Sequence, residues 1–373
     1  MFGLYMTQTL LYSQLEPAAS RIGPYNGVET SLVFRDAASE LHALQASCGI
    51  FDLGWRAKIS VAGKDRVRWL HNMVSNNVRD LPLNRGNYNF VLNAQGRILA
   101  DMFIFNRGES LLIDTDRSQV ETVINTLKRF IIMDKVELAD CGESLSAIGI
   151  CGPRAQQILV EAGFNASGMG PMEPMESLEL REQAGGDAPI LLVSGPSQQP
   201  GWYELWANSS SLAETWKKLA SAGAQPVGAE AVEMWRVLHG VPKYGQDIRD
   251  RDLPQETEQV QALNFTKGCY IGQEIVERIR SRGQVHRKFT GFEFHGSAST
   301  PTGSLTKDLP QPGKFEENGR TVAEITSVAV VPTESGERHI ALGYVRREAG
   351  SPGSQITLNG RVATVVDLPF DFK

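Results

Sequence analysis

The stretch AKISVAGKDRVRWLHNMV, residues 57–74, changes its apolar period part-way along. Ala57, Ile59 and Val61 alternate up to Gly63, after which Val67, Leu70 and Val74 recur at helical spacing. That pattern predicts a strand, a turn and a helix. YNFVLN, RILADMFIF and SLLIDTD follow, separated by AQG and NRGE, short turn signals that predict antiparallel hairpins. SQVETVINTLKRFI then carries Val120, Val123, Leu127 and Phe130 on one helical stripe, and KVELAD closes the unit as a strand. The same order returns from LSAIGICG and PRAQQILVEAG, through SLELREQ, PILLVSG and YELWAN, to SSSLAETWKKLASAG. VAGKDRVRWL is echoed weakly by ICGPRAQQIL, but the repeated strand–helix–strands–helix order predicts two related α+β modules.

Beyond them, GAEAVEMWRVLHGVPKYG reads as a further helix with Val232, Trp235 and Leu238 on one stripe. After residue 284 helical periodicity vanishes. KFTGFEF, TVAEITSVAVV, HIALGYV, QITLNG and RVATVVDL predict a small all-β barrel or sandwich, with the Gly/Pro/Ser-rich segment 296–313 as a loop within it.

A chain of 373 residues exceeds what one core usually serves, and 41% hydrophobic residues suffice for two or three. A formal charge of −6 argues against broad nucleic-acid binding, which needs concentrated Lys and Arg. No apolar run reaches the roughly 18 residues of a membrane span, and the opening MFGLYMTQTLLYSQLEP lacks a basic n-region, so a cytoplasmic protein is expected. Cys48, Cys141, Cys151 and Cys269 are scattered, with no CxxC pair or interleaved His, so free thiols and no metal site are expected.

Cys269 is the pointed one. In FTKGCYIGQEIVERI, residues 265–279, Ile271, Ile275 and Ile279 recur every four residues, so a helix is expected to start near Ile271 or Gly272. A thiol at that edge, with Lys267 two residues earlier, is expected to have a lowered pKa. Gly268 and Gly272 supply positive φ or close backbone approach to a ligand. The alternative is a small buried cysteine between turn glycines. Glu274 and Arg278 are spaced for a surface salt bridge.

Asp101 shares its strand face with Leu99, Phe103 and Phe105. A carboxylate there must be paired, bound to a ligand or protonated, unless a bulge turns it to solvent. Glu204 in GWYELWAN and Arg236 in EMWRVLHG are flanked by aromatic and aliphatic residues, and one reading pairs them with each other. His71, His239, His286, His295 and His339 fall in no ligand spacing and read as structural or exposed. RIRSRGQVHRK, with Arg278, Arg280, Arg282, Arg287 and Lys288, reads as an anion-facing patch or a solvated linker.

CGIFDLGWRAKISVAGKDRVRWLHNMVSNNV, NYNFVLNAQGRILADMFIF, WRVLHGVPKYGQDI and LPQE resemble the folate-binding superfamily of the glycine-cleavage T-protein, an aminomethyltransferase. KGCYIGQE is similar to the motif of its YgfZ branch at every position, where T-proteins proper carry a different motif without the cysteine. The resemblance implies an α+β fold in which three domains ring a central hole that receives tetrahydrofolate or a one-carbon derivative. It divides the chain into 1–56 with 142–245, 57–141 with 246–284 carrying KGCYIGQE, and a β-barrel over 285–373. By position it implies that Asp101 contacts the folate near its reactive nitrogens, that Glu204 holds the pterin, and that Arg236 belongs to the folate site. Lys267, Tyr270 and Gln273 of the motif are implied cofactor contacts, and Cys269, with Asp101, a catalytic group. T-proteins have two adjacent aspartates where this chain has Ala100–Asp101, and SQQPGWYE replaces their GEDGFE-like segment. The branch implies a folate-binding factor for assembly or repair of iron–sulfur clusters in client enzymes, tRNA-modifying ones included. An aminomethyltransferase of the glycine-cleavage system and a non-catalytic folate sensor that docks partners are the alternatives. Any enzymatic activity would be a folate-dependent one-carbon transfer.

Overall fold

The computed structural model describes residues 7–142, 144–166, 172–180, 190–195, 201–295, 311–317, 319–333, 336–358 and 360–371. The chain forms two compact units, the first built from 1–92, 99–232 and 261–271, the second from 93–98, 233–260 and 272–373. The fold is mixed α+β.

The first unit contains the repeat. Strand Arg56–Ala62 leads into helix Arg66–Met73, then strands Gly86–Leu92, Ile98–Asn106 and Leu111–Asp116, helix Val120–Lys128 and strand Glu137–Asp140. Strand Ser146–Cys151 leads into helix Ala155–Glu161, then strands Ser177–Leu180, Ile190–Ser194 and Trp202–Ala207, helix Ser209–Ser221 and strand Gln225–Pro226. The spatial orders correspond as well. In each sheet the three strands after the first helix lie in sequence order, the opening strand follows them, and the closing strand lies beyond it. One difference separates the two: strand Gly49–Asp52 is inserted between the opening and closing strands of the second sheet. The weak sequence echo is carried by one residue with a shared task. Gly63 and Gly152 end the two opening strands at φ +99° and +132°, and a Cβ on either would strike neighbouring backbone, the Lys135 or the Ser47 carbonyl. Only glycine meets both demands.

Alternation decides what each sheet does with its two faces. Ala57, Ile59 and Val61 join Trp69, Leu70, Val123 and Leu127 in one helix-covered core. Ile148, Ile150, Leu192 and Leu205 join Ile158, Leu159, Leu212 and Trp216 in another. The opposite faces meet each other, with Phe105 and Trp206 edge to face at 5.0 Å. The polar and aromatic residues of those faces are therefore covered between two sheets.

In the second unit, the strands expected as a barrel or sandwich form one six-stranded antiparallel sheet. Its order is Gly313–Glu317, Arg320–Thr333, Gly336–Arg346, Arg287–Phe294, Arg361–Val366 and Gln355–Leu358. Val232, Trp235 and Leu238 are buried on helix Ala229–Leu238 as their spacing predicts. One helix expectation needs correction. Helix Val120–Lys128 ends before Phe130, which is 40% exposed, because the chain must turn toward the next strand. The last helix, Gln273–Arg282, starts as expected at Gly272, its N-cap, where φ is +82°. The expected 296–313 loop lies mostly outside the described residues.

Candidate functional site

Asp101 sits half-buried at the centre of the inter-sheet face, and the expected alternation along Ile98–Asn106 holds, with Ala100, Met102 and Ile104 in the core. Its carboxylate is held by two neutral donors. The Tyr88 hydroxyl donates to Oδ2 at 2.6 Å, and the Gln119 amide donates to Oδ1 at 2.8 Å while its own carbonyl oxygen accepts from the Asp101 N–H at 3.1 Å. Burial, then the Asp101 charge and hydrogen bond, holds the Tyr88 phenol well above its ordinary pKa, so it stays a donor. Phe90 and Phe103 pack around the Tyr88 ring.

Beside this group is a buried ion cluster. Arg56 bonds Asp114 through two nitrogens and Asp116 at 3.0 Å, and lies 5.7 Å from the Phe103 ring centre. Burial works against the guanidinium charge, but Asp114 and Asp116 outweigh it and hold the pKa above its usual value. Lys58, completely buried, donates to Asp114 at 2.6 Å and stands 4.2 Å over the Trp206 ring. Burial raises the Asp114 pKa, and the two cations more than offset that, leaving it below the ordinary carboxylate value. Glu204 accepts from the Trp206 indole N–H at 2.7 Å. Burial first, then the Asp114 charge, raises its pKa, against the pull of Lys58, Arg56 and the indole.

The KGCYIGQE segment lies partly in the same unit. Lys267 is buried, and its ammonium donates to the carbonyls of His71, Val74 and, at 2.8 Å, Asn76. Those carbonyls belong to the end of helix Arg66–Met73 and the residues after it, where a cation is favoured. Burial, with help from Arg79, pushes its pKa down to about 7, while the three acceptors hold the proton on. His71 completes the clasp: its Nδ1 accepts from the Arg79 N–H at 3.2 Å, so Nε2 donates to the Lys267 carbonyl at 3.0 Å. Asn76 joins this clasp to the Asp101 group, since its side chain donates to the Tyr88 carbonyl at 3.0 Å.

Cys269 is exposed, which removes the buried-cysteine alternative. It lines an open depression of about 450 Å³ with Asn72, Arg79, Gly268, Tyr270 and Ile271. Gly268 has φ +96°, as expected for a residue that turns the chain there. Tyr270 is buried, its ring 4.9 Å from the Lys267 ammonium.

Asp101 and Glu204 thus flank one cluster around Arg56, while Lys267, Cys269 and Tyr270 form a second group in the same unit. Arg236 and Gln273 belong to the other unit. Arg236 bonds Glu233 at 2.5 Å, Asp247 at 2.6 Å and Ser327 at 2.8 Å, and Gln273 opens helix Gln273–Arg282. The Lys267 ammonium faces backbone carbonyls, because a buried cation takes the acceptors at a helix end. One expectation is corrected. Arg287 of the supposed anion-facing patch is engaged by Asp252 at 2.5 Å and by Glu256 and Glu324, each at 3.1 Å. Glu274 and Arg278 do form the exposed salt bridge, at 3.1 Å. Arg56, Lys58, Tyr88, Gln119, Asp114 and Trp206 were not singled out by sequence. The signal was present in AKISVAG and SLLIDTD, where charged residues occupy the alternate face of apolar strands.

The GCVT N-terminal domain family matches residues 11–267. The chain belongs to this family. It is 24% identical over 98% of its length to an aminomethyltransferase of Symbiobacterium thermophilum, 97% of which is covered. An aminomethyltransferase of Halothermothrix orenii is 25% identical over 98% of this chain and all of the relative. The glycine cleavage system aminomethyltransferase T of Bartonella henselae superposes with a TM-score of 0.83 at 19% identity, over 98% of each chain, so the T-protein fold is shared. Among the described residues, no helix is long and apolar enough to cross a membrane, and no group of three His, Cys, Asp or Glu is placed to hold a metal ion.

Proposed function

We propose that this chain binds tetrahydrofolate, or a one-carbon derivative of it, at the Asp101–Glu204 cluster and handles its one-carbon group as an aminomethyltransferase does. The observation that carries this reading is the pair of half-buried carboxylates held by neutral donors. Asp101 takes one hydrogen bond on each oxygen and Glu204 takes one from Trp206, which leaves acceptor capacity on both. A pterin presents N–H donors and a flat ring, which suit carboxylates among Tyr88, Phe103 and Trp206. Bound tetrahydrofolate would supply the nitrogens that carry the one-carbon unit. Asp101 would orient them, and Glu204 would hold the pterin edge. The three-domain division and ring expected for the family, the contributions of Arg236, Tyr270 and Gln273, and a cytoplasmic setting belong to the same proposal.

The relatives' names favour aminomethyl transfer over the iron–sulfur role expected from KGCYIGQE. The iron–sulfur reading keeps one specific observation, the exposed Cys269 thiol in an open depression. Calorimetric titration of tetrahydrofolate into the full chain tests the shared part, and absence of binding would remove both readings. Turnover of an aminomethylated lipoyl carrier, unaffected by Cys269→Ala, supports the transferase. Iron–sulfur enzyme activity in cells lacking the protein, restored by wild type and not by Cys269→Ala, supports the maintenance factor. If the wild type turns over no carrier, and that variant changes neither partner-enzyme activity nor folate binding, the folate sensor remains.

A further inference from the structure

Lys58 is a buried cation whose ion-pairing task is already done by a neighbour. Removing an ammonium from water costs several kcal/mol unless its partners return it. Asp114, its hydrogen-bond partner among the described residues, is also bonded by the Nε and Nη2 of Arg56, and Asp116 takes Nη1. The other neighbour of the ammonium is the indole face of Trp206, 4.2 Å away. The same indole donates its N–H to Glu204 Oε2 at 2.7 Å, and Oε1 carries no hydrogen bond among the described residues. A cation on the π face draws electron density from the ring and strengthens its N–H as a donor.

We infer that Lys58 is a positioning residue, acting through Trp206 to hold Glu204 ionised with one oxygen clamped and the other free for the N–H donors of a ligand. This inference rests on the folate reading for the ligand and on the Lys58–Trp206–Glu204 geometry for the effect on Glu204. The charges facing Glu204 come from two other strands: Asp114 from Leu111–Asp116, and Arg56 and Lys58 from Arg56–Ala62. Its sheet partners, Gly149 and Val193, are uncharged. Burial and Asp114 favour the protonated acid, so the balance depends on the cations, and Lys58 is the one that also touches the clamp.

The test reads the Glu204 carboxyl directly, by carbon NMR of protein labelled at the glutamate side-chain carboxyl, with Glu204→Gln to assign the resonance. Lys58→Met is expected to raise the Glu204 titration midpoint by about 1 pH unit. Lys58→Gln, which still donates to Asp114, is expected to do the same and covers a folding failure of the first variant. Lys58→Arg is expected to keep the wild-type midpoint. Tetrahydrofolate titrated into Lys58→Met should bind about tenfold more weakly near the acid side of that midpoint and recover at alkaline pH. A midpoint unmoved in the folded neutral variants overturns the inference, whether or not any ligand binds. Absence of tetrahydrofolate binding to wild type, with the midpoint shifted in the variants, overturns the folate reading and leaves the positioning role standing.

Discussion

Arg56 and Lys58 in the first unit, and Arg249 and Arg287 in the second, are cations set against carboxylates, yet the two clusters are completed differently. In the second unit, Asp252 and Glu324 are each met by at least two guanidinium groups. Arg287 reaches Asp252 and Glu324, Arg249 reaches both, and Arg251 adds a third guanidinium on Glu324 at 3.0 Å. The Tyr344 ring lies beneath Arg287 at 4.3 Å. Burial raises the Glu324 pKa, and the three arginines outweigh it. In the first unit, Asp114 is saturated in the same way, but Asp101 and Glu204 are held by a phenol, an amide and an indole. Neutral donors fix a carboxylate in place without cancelling its charge. A saturated cluster stabilises a fold, whereas carboxylates held by neutral groups keep a field with which a ligand can bind.

The largest expected effect comes from breaking the saturated cluster. Asp252→Ala removes a fully buried carboxylate that faces Arg287 and Arg249 and accepts from the Arg249 N–H and the Tyr344 hydroxyl. Orphaning buried cations typically costs about 3–5 kcal/mol. Chemical denaturation should show that loss, and a loss below about 1 kcal/mol would mean the cluster is solvated. Next in size is a pH effect in the same unit. His239 stacks on Trp235 at 3.8 Å, and burial pushes its pKa down to about 4, against the Trp235 carbonyl bond. The unfolded chain therefore binds more protons than the folded one between about pH 6.5 and pH 4, so stability is present above 6.5 and is lost as pH falls through that window. The loss should be about 3 kcal/mol. His239→Gln should flatten the pH dependence of the denaturation midpoint there, and an unchanged slope would assign the acid sensitivity to other groups.

Much of the fold was readable because it rests on local pattern. The period change at Gly63, its repeat at Gly152 and the alternation along 98–106 each depend on neighbours in sequence, and together they located both modules and Asp101. The partners of Asp101 were not readable, since Tyr88 comes from another strand and Gln119 from a short 3-10 turn at Arg117–Gln119. Lys58 and Asp114 stand on the alternate face of apolar strands, paired across the sheet. They are buried because a second sheet, carrying Trp206, covers that face, and no single strand records which sheet lies above it. The anchoring of Lys267 was not readable for a related reason: its ammonium is used by the end of a helix nearly 200 residues earlier in the chain.

In the unsaturated cluster, Asp101→Asn keeps the hydrogen-bonding shape and removes the charge. The protein should lose little stability, because Tyr88 and Gln119 still find a partner, but tetrahydrofolate affinity should fall by about ten- to a hundredfold, the value of a charged hydrogen bond. Calorimetry of both proteins decides it, and equal affinities would take Asp101 out of the site.

The smallest expected effect sharpens the contrast between the Asp101 group and the neighbouring depression. Cys269 has no core to support, since it is exposed, and the adjoining segment is fixed independently by the Lys267 clasp on His71, Val74 and Asn76. Cys269→Ala should therefore leave both the denaturation midpoint and tetrahydrofolate affinity at wild-type values. Asn76 bridges the clasp to the Tyr88 backbone, so a thiol that helped shape the folate group would betray itself through this connection. A drop in affinity on Cys269→Ala would mean that the depression and the Asp101 cluster act as one site. Unchanged affinity, with any cellular activity lost, would assign the thiol a task that begins only after folate is bound.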